Sequence, residues 1–241
     1  MKPTIVGAGR IGTALSQMCD ATMVRRGQPI PSEEGPIYVC TRNDDLESVV
    51  GATLPQHRKD LVFLQNGMLQ SWLDKHNLQD NTQALIYFAV QKLGDKPVDG
   101  GGSVVCGPWA ETFAQMLQSA GIECTVVDRQ TYKQQMVEKL LWNCIFGLLS
   151  QKHNTSVGQV VERYRHEVDE LVKELAPLAE KKLHIRLKSG VAQRLCDYSM
   201  SVADYKGAVK ELPWRNGWFL DIAHTPKHVE WLHQVGVSVE S

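Results

Sequence analysis

The sequence has no C-x-x-C pair among its six cysteines, so their spacing does not suggest a zinc site. Several of them sit inside apolar runs, as in Val39-Cys40 and Val105-Cys106, which reads as buried free thiols in a reducing compartment. No apolar run reaches the ~18 residues a membrane span needs, and no signal-peptide core follows Met1-Lys2-Pro3. Charge of one sign is missing too. The formal net charge is -1, which gives no general attraction to nucleic acid or to an anionic membrane. A cytoplasmic enzyme is the default expectation, with a small-molecule substrate as its partner and the chain a monomer or homodimer. With 241 residues, 43% of them hydrophobic, the chain can build one large core or two modest ones.

What is present is an alternation of short apolar runs with amphipathic segments over the first half. Strands are expected at Thr4–Val6, Ala21–Val24, Ile37–Thr41, Leu61–Leu64, Ala84–Val90, Ser103–Cys106 and Cys124–Val127. Helices are expected at Ile11–Cys19, Leu46–Val50, Leu69–Lys75 and Trp109–Ala120. Such alternation argues for a mainly parallel sheet. Gln91–Gly102 interrupts it with glycine turns, so the strands on either side are expected to run antiparallel. After Asp128 strand-like runs cease. Val161, Tyr164, Val168, Leu171, Leu175 and Leu178 recur at helical spacing, with Pro177 expected to kink that helix. The reading is an α/β chain: a Rossmann-type dinucleotide-binding domain over 1–130, then an all-helical substrate domain over 131–241.

Thr4-Ile5-Val6-Gly7-Ala8-Gly9-Arg10-Ile11-Gly12 is a strand followed by G-x-G-x-x-G. Gly7 permits the tight turn, Gly9 lets backbone approach a pyrophosphate, and Gly12 lets the helix pack close to the strand. Arg10 and Ile11 complete this cofactor-binding loop. At the end of the second strand an NAD site needs a carboxylate for the ribose hydroxyls. Here Arg25-Arg26 stand instead, and guanidinium groups suit a 2′-phosphate. The cofactor expected is therefore NADP(H). The loop Gly27–Pro36 is short, so the third strand common in this fold is expected to be missing.

Further anchors follow in order: Gln65-Asn66-Gly67 after an apolar strand, Lys139 and Asn143 in Glu138-Lys139-Leu140-Leu141-Trp142-Asn143, then Ser199, and Glu211 before Asn216-Gly217. Together with the glycine loop, these make the chain resemble the ketopantoate reductase family, as a divergent or shortened member. The resemblance covers nearly the whole length. It implies that Lys139 is the general acid protonating the substrate carbonyl oxygen as hydride reaches carbon. It implies that Asn143 orients substrate, and that Asn66 meets both the nicotinamide ribose and the substrate. Glu211 and Ser199 would bind the substrate hydroxyl and carboxylate, and Arg42, with Gln65, would face the cofactor.

The residues carry part of this reading on their own. Lys139 and Asn143 are four apart and share one helix face. Apolar neighbours lower a lysine pKa toward the range useful for proton transfer. Glu211 lies just before Pro213, where a helix is expected to open. Plain alternatives stay open. Lys139 could lay its stem on Trp142 at the surface, Asn66-Gly67 could be an ordinary turn, and Arg25-Arg26 or Lys210-Glu211 could be solvated charge.

The match departs from the family at two positions. Gly147 and Val157 stand where the family carries asparagines, and both replacements remove hydrogen-bonding groups. The expected function is NADPH-dependent reduction of a small 2-oxo acid such as ketopantoate. The competing readings are a non-catalytic NADP(H)-binding sensor or degenerate paralogue, and a relative of the 3-hydroxyacid dehydrogenases.

Overall fold

Three-residue apolar runs buried on both faces organise the first half of the chain. In this computed structural model, which describes residues 1–90 and 92–239, β1 (Thr4–Val6), β3 (Ile37–Val39) and β4 (Leu61–Phe63) expose none of their residues. Strands covered on both faces are the mark of a parallel sheet with helices on either side. β2 (Thr22–Val24), β5 (Thr82–Leu85), β8 (Ser103–Cys106) and β9 (Cys124–Val126) complete a seven-stranded sheet in the order β2-β1-β3-β4-β5-β8-β9. The first five strands run parallel, and β8 lies antiparallel to β5, as the glycine-rich interruption suggested. Within that interruption β6 (Phe88–Ala89) and β7 (Val98–Asp99) form a small antiparallel ribbon that the sequence reading lacked, while Gln91 lies outside the described residues.

β2 is an edge strand of the sheet, and among the described residues no strand lies beyond it. The short Gly27–Pro36 loop returns the chain directly to β3 on the other side of β1. The strand order therefore reverses at β1, which opens a crevice at the carboxyl ends of β1 and β3. The helices are α1 (Arg10–Ser16), α2 (Leu46–Ala52), α3 (Gln70–Lys75) and α4 (Ala110–Ser119). The apolar faces of α1 and α4 close a core that includes Ile5, Leu15, Tyr38, Val62, Phe113 and Leu117. The Tyr38 and Phe113 rings meet edge to face at 5.4 Å.

The chain divides into two compact units, Met1–Tyr132 and Lys133 onward. The second is helical: most of α5 (Arg129–His153), then α6 (Val157–Leu183), α7 (Val191–Ser201), α8 (Asn216–Leu220) and α9 (Pro226–Gln234). Ser156 caps α6, its hydroxyl accepting from the Gln159 N–H. Pro177 lies inside α6, but the break in helical dihedrals is at Tyr164 (φ −127°, ψ 26°), not at the proline. The Tyr164 ring stacks flat on His153, with centroids 3.5 Å apart. Glu167 accepts from both His153 Nε2 and Lys152 Nζ at 2.9 Å. Packing against the end of α5 thus sets the bend. Among the described residues no helix is long and apolar enough to cross a membrane, and no cluster of metal-ligating side chains occurs.

Candidate active site

The first unit offers a cavity of about 610 Å³ at the β1–β3 crevice. Gly7 and Gly9 form part of its wall, with Arg25, Arg26, Arg42 and Asp45. Gly7 has φ +109°, and a Cβ on it would sit 2.8 Å from the Cys40 carbonyl oxygen, so only glycine fits. A Cβ on Gly12 would overlap the Gly7 carbonyl oxygen, which is why the helix can approach the strand so closely. At Gly9 a Cβ would meet nothing, leaving open backbone at the cavity wall. This cradle of open backbone with three guanidinium groups fits a phosphate-bearing dinucleotide.

Asp45 is a cavity residue that sequence reading missed. Its Oδ1 pairs with Arg26 Nη2 at 3.0 Å, across a separation of 19 residues that no local pattern signals. Other expected cofactor residues stand outside that cavity wall. Arg10 donates to the Val90 carbonyl at 3.2 Å, and Ile11 packs on the sheet core. Gln65 spends its amide N–H groups on the carbonyls of Val39 and Thr41, at 2.9 and 3.1 Å. Its side chain braces the end of β3 against that of β4. Asn66 follows at the end of β4, its carbonyl oxygen held by Asn43 Nδ2 at 3.0 Å.

The second unit gathers the remaining site residues along α5. Lys139, Trp142, Asn143 and Phe146 follow helical spacing and form one stripe. The Lys139 ammonium pKa is lowered to about 7, chiefly by burial and then by the charge of Arg215. Asn143 is engaged at both ends of its amide. Its Nδ2 donates to the Lys139 carbonyl at 2.9 Å, and its Oδ1 accepts from Arg215 Nη1 at 3.3 Å. Glu211 joins the same group. It holds φ +48° just ahead of a 3-10 turn at Leu212–Trp214, a strained conformation for a non-glycine residue. Its carboxylate, 39% exposed, accepts from Arg215 Nη2 at 2.6 Å. Arg215 thus binds Asn143 to Glu211. Sequence reading passed over it, although its spacing of four from Glu211 was a usable signal.

Ser199 stands apart from this group. It is fully buried in α7, and its hydroxyl donates to the Leu195 carbonyl while accepting from Trp142 Nε1, each at 2.8 Å. Tyr198 and Tyr205 lie against the Trp142 ring, with centroids 5.0 and 6.0 Å away, and Phe146 stacks at 6.1 Å. Gly147 and Val157 meet the same segment. The segment after α7 lies over both positions. Val157 N–H donates to the Tyr205 carbonyl at 2.9 Å and Gly158 N–H to the Ala203 carbonyl at 3.0 Å. A Cβ on Gly147 would come within 2.8 Å of the Ala208 carbonyl oxygen. At position 147 a side chain has no room where this strap crosses.

Solved structures share this architecture at full length. A ketopantoate reductase from Ralstonia eutropha JMP134 superposes with a TM-score of 0.74 over 98% of this chain and 97% of its own, at 17% identity. The chain has the ketopantoate reductase fold. D-mandelate dehydrogenase, solved with NADH and anilino(oxo)acetate, superposes at 0.76 over the same shares, with 14% identity. A dimeric ketopantoate reductase from Staphylococcus aureus reaches 0.73 at 15% identity, again over 98% and 97%. At such identities the likeness is one of fold. No protein-family model and no curated protein sequence matches the chain.

Proposed function

We propose that this chain is an NADP(H)-dependent reductase of small 2-oxo acids. The observation that carries the reading is Lys139, whose ammonium is held near a pKa of about 7 on the helix face it shares with Asn143, to which Arg215 is bound. A proton donor is most effective when its pKa lies near the working pH. The glycine cradle and the guanidinium groups of Arg25, Arg26 and Arg42 support the cofactor assignment, the guanidinium groups favouring a 2′-phosphate.

When bound, the dinucleotide supplies a hydride to the carbonyl carbon of the 2-oxo acid. Lys139 gives its proton to the carbonyl oxygen, so the C=O becomes CH–OH. The lysine leaves the step neutral and is recharged from solvent. Asn143 holds Arg215 and the Lys139 backbone in register, and Glu211 fixes the far side of Arg215. Asn66, at the end of β4, remains the candidate to meet the nicotinamide ribose and substrate.

Ketopantoate is the substrate suggested by resemblance. A second substrate reading is a 2-oxo acid with an aromatic side chain, favoured by the Trp142 indole on the proton donor's helix and the Tyr198 and Tyr205 rings packed against it. The test is NADPH oxidation with a panel of 2-oxo acids, wild type against Lys139→Ala. Turnover that falls about 10²–10⁴-fold in the variant supports the mechanism. Equal activity in the variant sinks it. NADPH binding with no oxidation for any acid would favour the sensor reading.

A further inference from the structure

We propose that Arg215 is the residue that receives the substrate carboxylate, the role the family resemblance assigns to Ser199. The inference rests on the 2-oxo acid reading above and deepens it.

Ser199 has no donor left for a carboxylate. It is buried, its proton goes to Leu195 and its oxygen is taken by the Trp142 indole. An acid substrate therefore needs another anchor. Arg215 has the right chemistry, because a guanidinium presents five N–H donors in a fork that matches a carboxylate. Its side chain is only 13% exposed, and its Nε is a buried donor without a partner. A buried donor left unsatisfied costs stability unless something completes it.

The local charge balance points the same way. Arg215 and Lys139 bring two cations into one partly buried group. Glu211 brings one carboxylate, already on Arg215. The neighbouring Glu138 is committed to Arg194 of α7, with Nη2 and Oε1 2.5 Å apart. Cys144, the other titratable group influenced by Arg215, is kept neutral because burial drives its pKa up. The substrate's carboxylate would bring an anion to the open Nε of this guanidinium. Its arrival also offsets the repulsion that Arg215 exerts on the Lys139 ammonium. Binding of the acid thereby favours the protonated lysine that the reaction needs, and the complex takes up a proton above neutral pH.

The experiment compares wild type with Arg215→Gln and Arg215→Lys, using anilino(oxo)acetate and its uncharged methyl ester as probes. Binding to the NADP⁺-loaded protein is measured calorimetrically in buffers of different ionisation enthalpy. Thermal melts identify any variant that does not fold. Expected are proton uptake by wild type with the acid alone, about a hundredfold weaker acid binding in Arg215→Gln, partial recovery in Arg215→Lys, and unchanged ester binding in both variants. Equal losses for acid and ester, or unaltered acid binding, would overturn the assignment. So would wild type that fails to bind the acid. Wild type that binds it through Arg215 yet reduces no 2-oxo acid would uphold this site while refuting the reductase reading.

Discussion

Trp142 Nε1 donates to Ser199 Oγ at 2.8 Å, joining α5 to α7 through this hydrogen bond. The same indole lies against Tyr198 and Tyr205, so one residue both occupies a family binding group and builds an aromatic surface. Trp142→Phe should keep the surface and release the serine, at about 1 kcal/mol in stability for the lost hydrogen bond. Trp142→Val should remove the surface as well and cost about 3 kcal/mol. Only the valine variant should shift the ratio of kcat/KM for phenylglyoxylate over ketopantoate, by about tenfold toward ketopantoate. An unchanged ratio in Trp142→Val would rule out the aromatic substrate reading.

Lys139 predicts a specific pH profile. In the proposed mechanism its ammonium is the donor, and its pKa is lowered to about 7 by burial and by Arg215. The kcat/KM for reduction should be level at lower pH and fall about tenfold per unit above that value. Stability moves the opposite way. The unfolded lysine, with its ordinary pKa of about 10.4, holds more protons than the folded one between the two values. Lys139 therefore lowers stability most below pH of about 7, and stability rises with pH across that window. Lys139→Met should flatten this slope and raise the neutral-pH Tm by about 2–4 °C for each kcal/mol relieved. Parallel pH–Tm curves for the two proteins would show that the lysine is not held in this state.

Much of the first unit was legible because its strands are short apolar runs closed by glycine. Thr4–Val6 and Ser103–Cys106 emerge with the expected bounds. The run over 84–90 instead splits into β5 and β6, since the Tyr87 N–H turns to the Ser103 hydroxyl at 2.9 Å. In the second unit, periodicity revealed helices but not what bends them. Pro177 advertised a kink, whereas the bend lies at Tyr164, where a ring stack with His153 outweighs local propensity. Within the candidate site, the shared helix face of Lys139 and Asn143 was legible from their spacing of four. The site was not legible where a partner comes from far along the chain. Trp142 and Ser199 are 57 residues apart, and Asn143 and Arg215 are 72 apart. No pattern within a single element announces such pairs.

The proposed preference for NADP(H) makes a test of Arg26 and Asp45, which share the cavity and a 3.0 Å ion pair. Arg25→Ala with Arg26→Ala should weaken NADPH about tenfold or more and leave NADH within about twofold, because only the former carries the 2′-phosphate. Asp45→Asn removes a negative charge from the wall and releases Arg26. It should tighten NADPH by about two- to fivefold, the scale of an exposed ion pair. Equal effects on the two dinucleotides would remove the arginines from cofactor selection.

Gly147 tests whether the lost family contact could be restored. Replacing it by asparagine looks like a gain of function on sequence grounds, because it returns a hydrogen-bonding group to the helix face of Lys139. The strap over 203–209 forbids this. A Cβ at position 147 would lie 2.8 Å from the Ala208 carbonyl oxygen, and one at position 207 as close to the Phe146 carbonyl oxygen. Both surfaces are backbone, which cannot rotate away as a side chain can. Val209 N–H is also tied to Gln151 Oε1 at 2.9 Å, and Tyr205 to the first turn of α6. Gly147→Asn should therefore destabilise the protein by about 1–3 kcal/mol through overpacking, and Gly147→Ala by a smaller amount of the same sign. Neither should improve kcat/KM for ketopantoate. An asparagine variant that melts like wild type and turns over ketopantoate faster would mean that the strap yields, and that the family's substrate contact lies within reach of this chain.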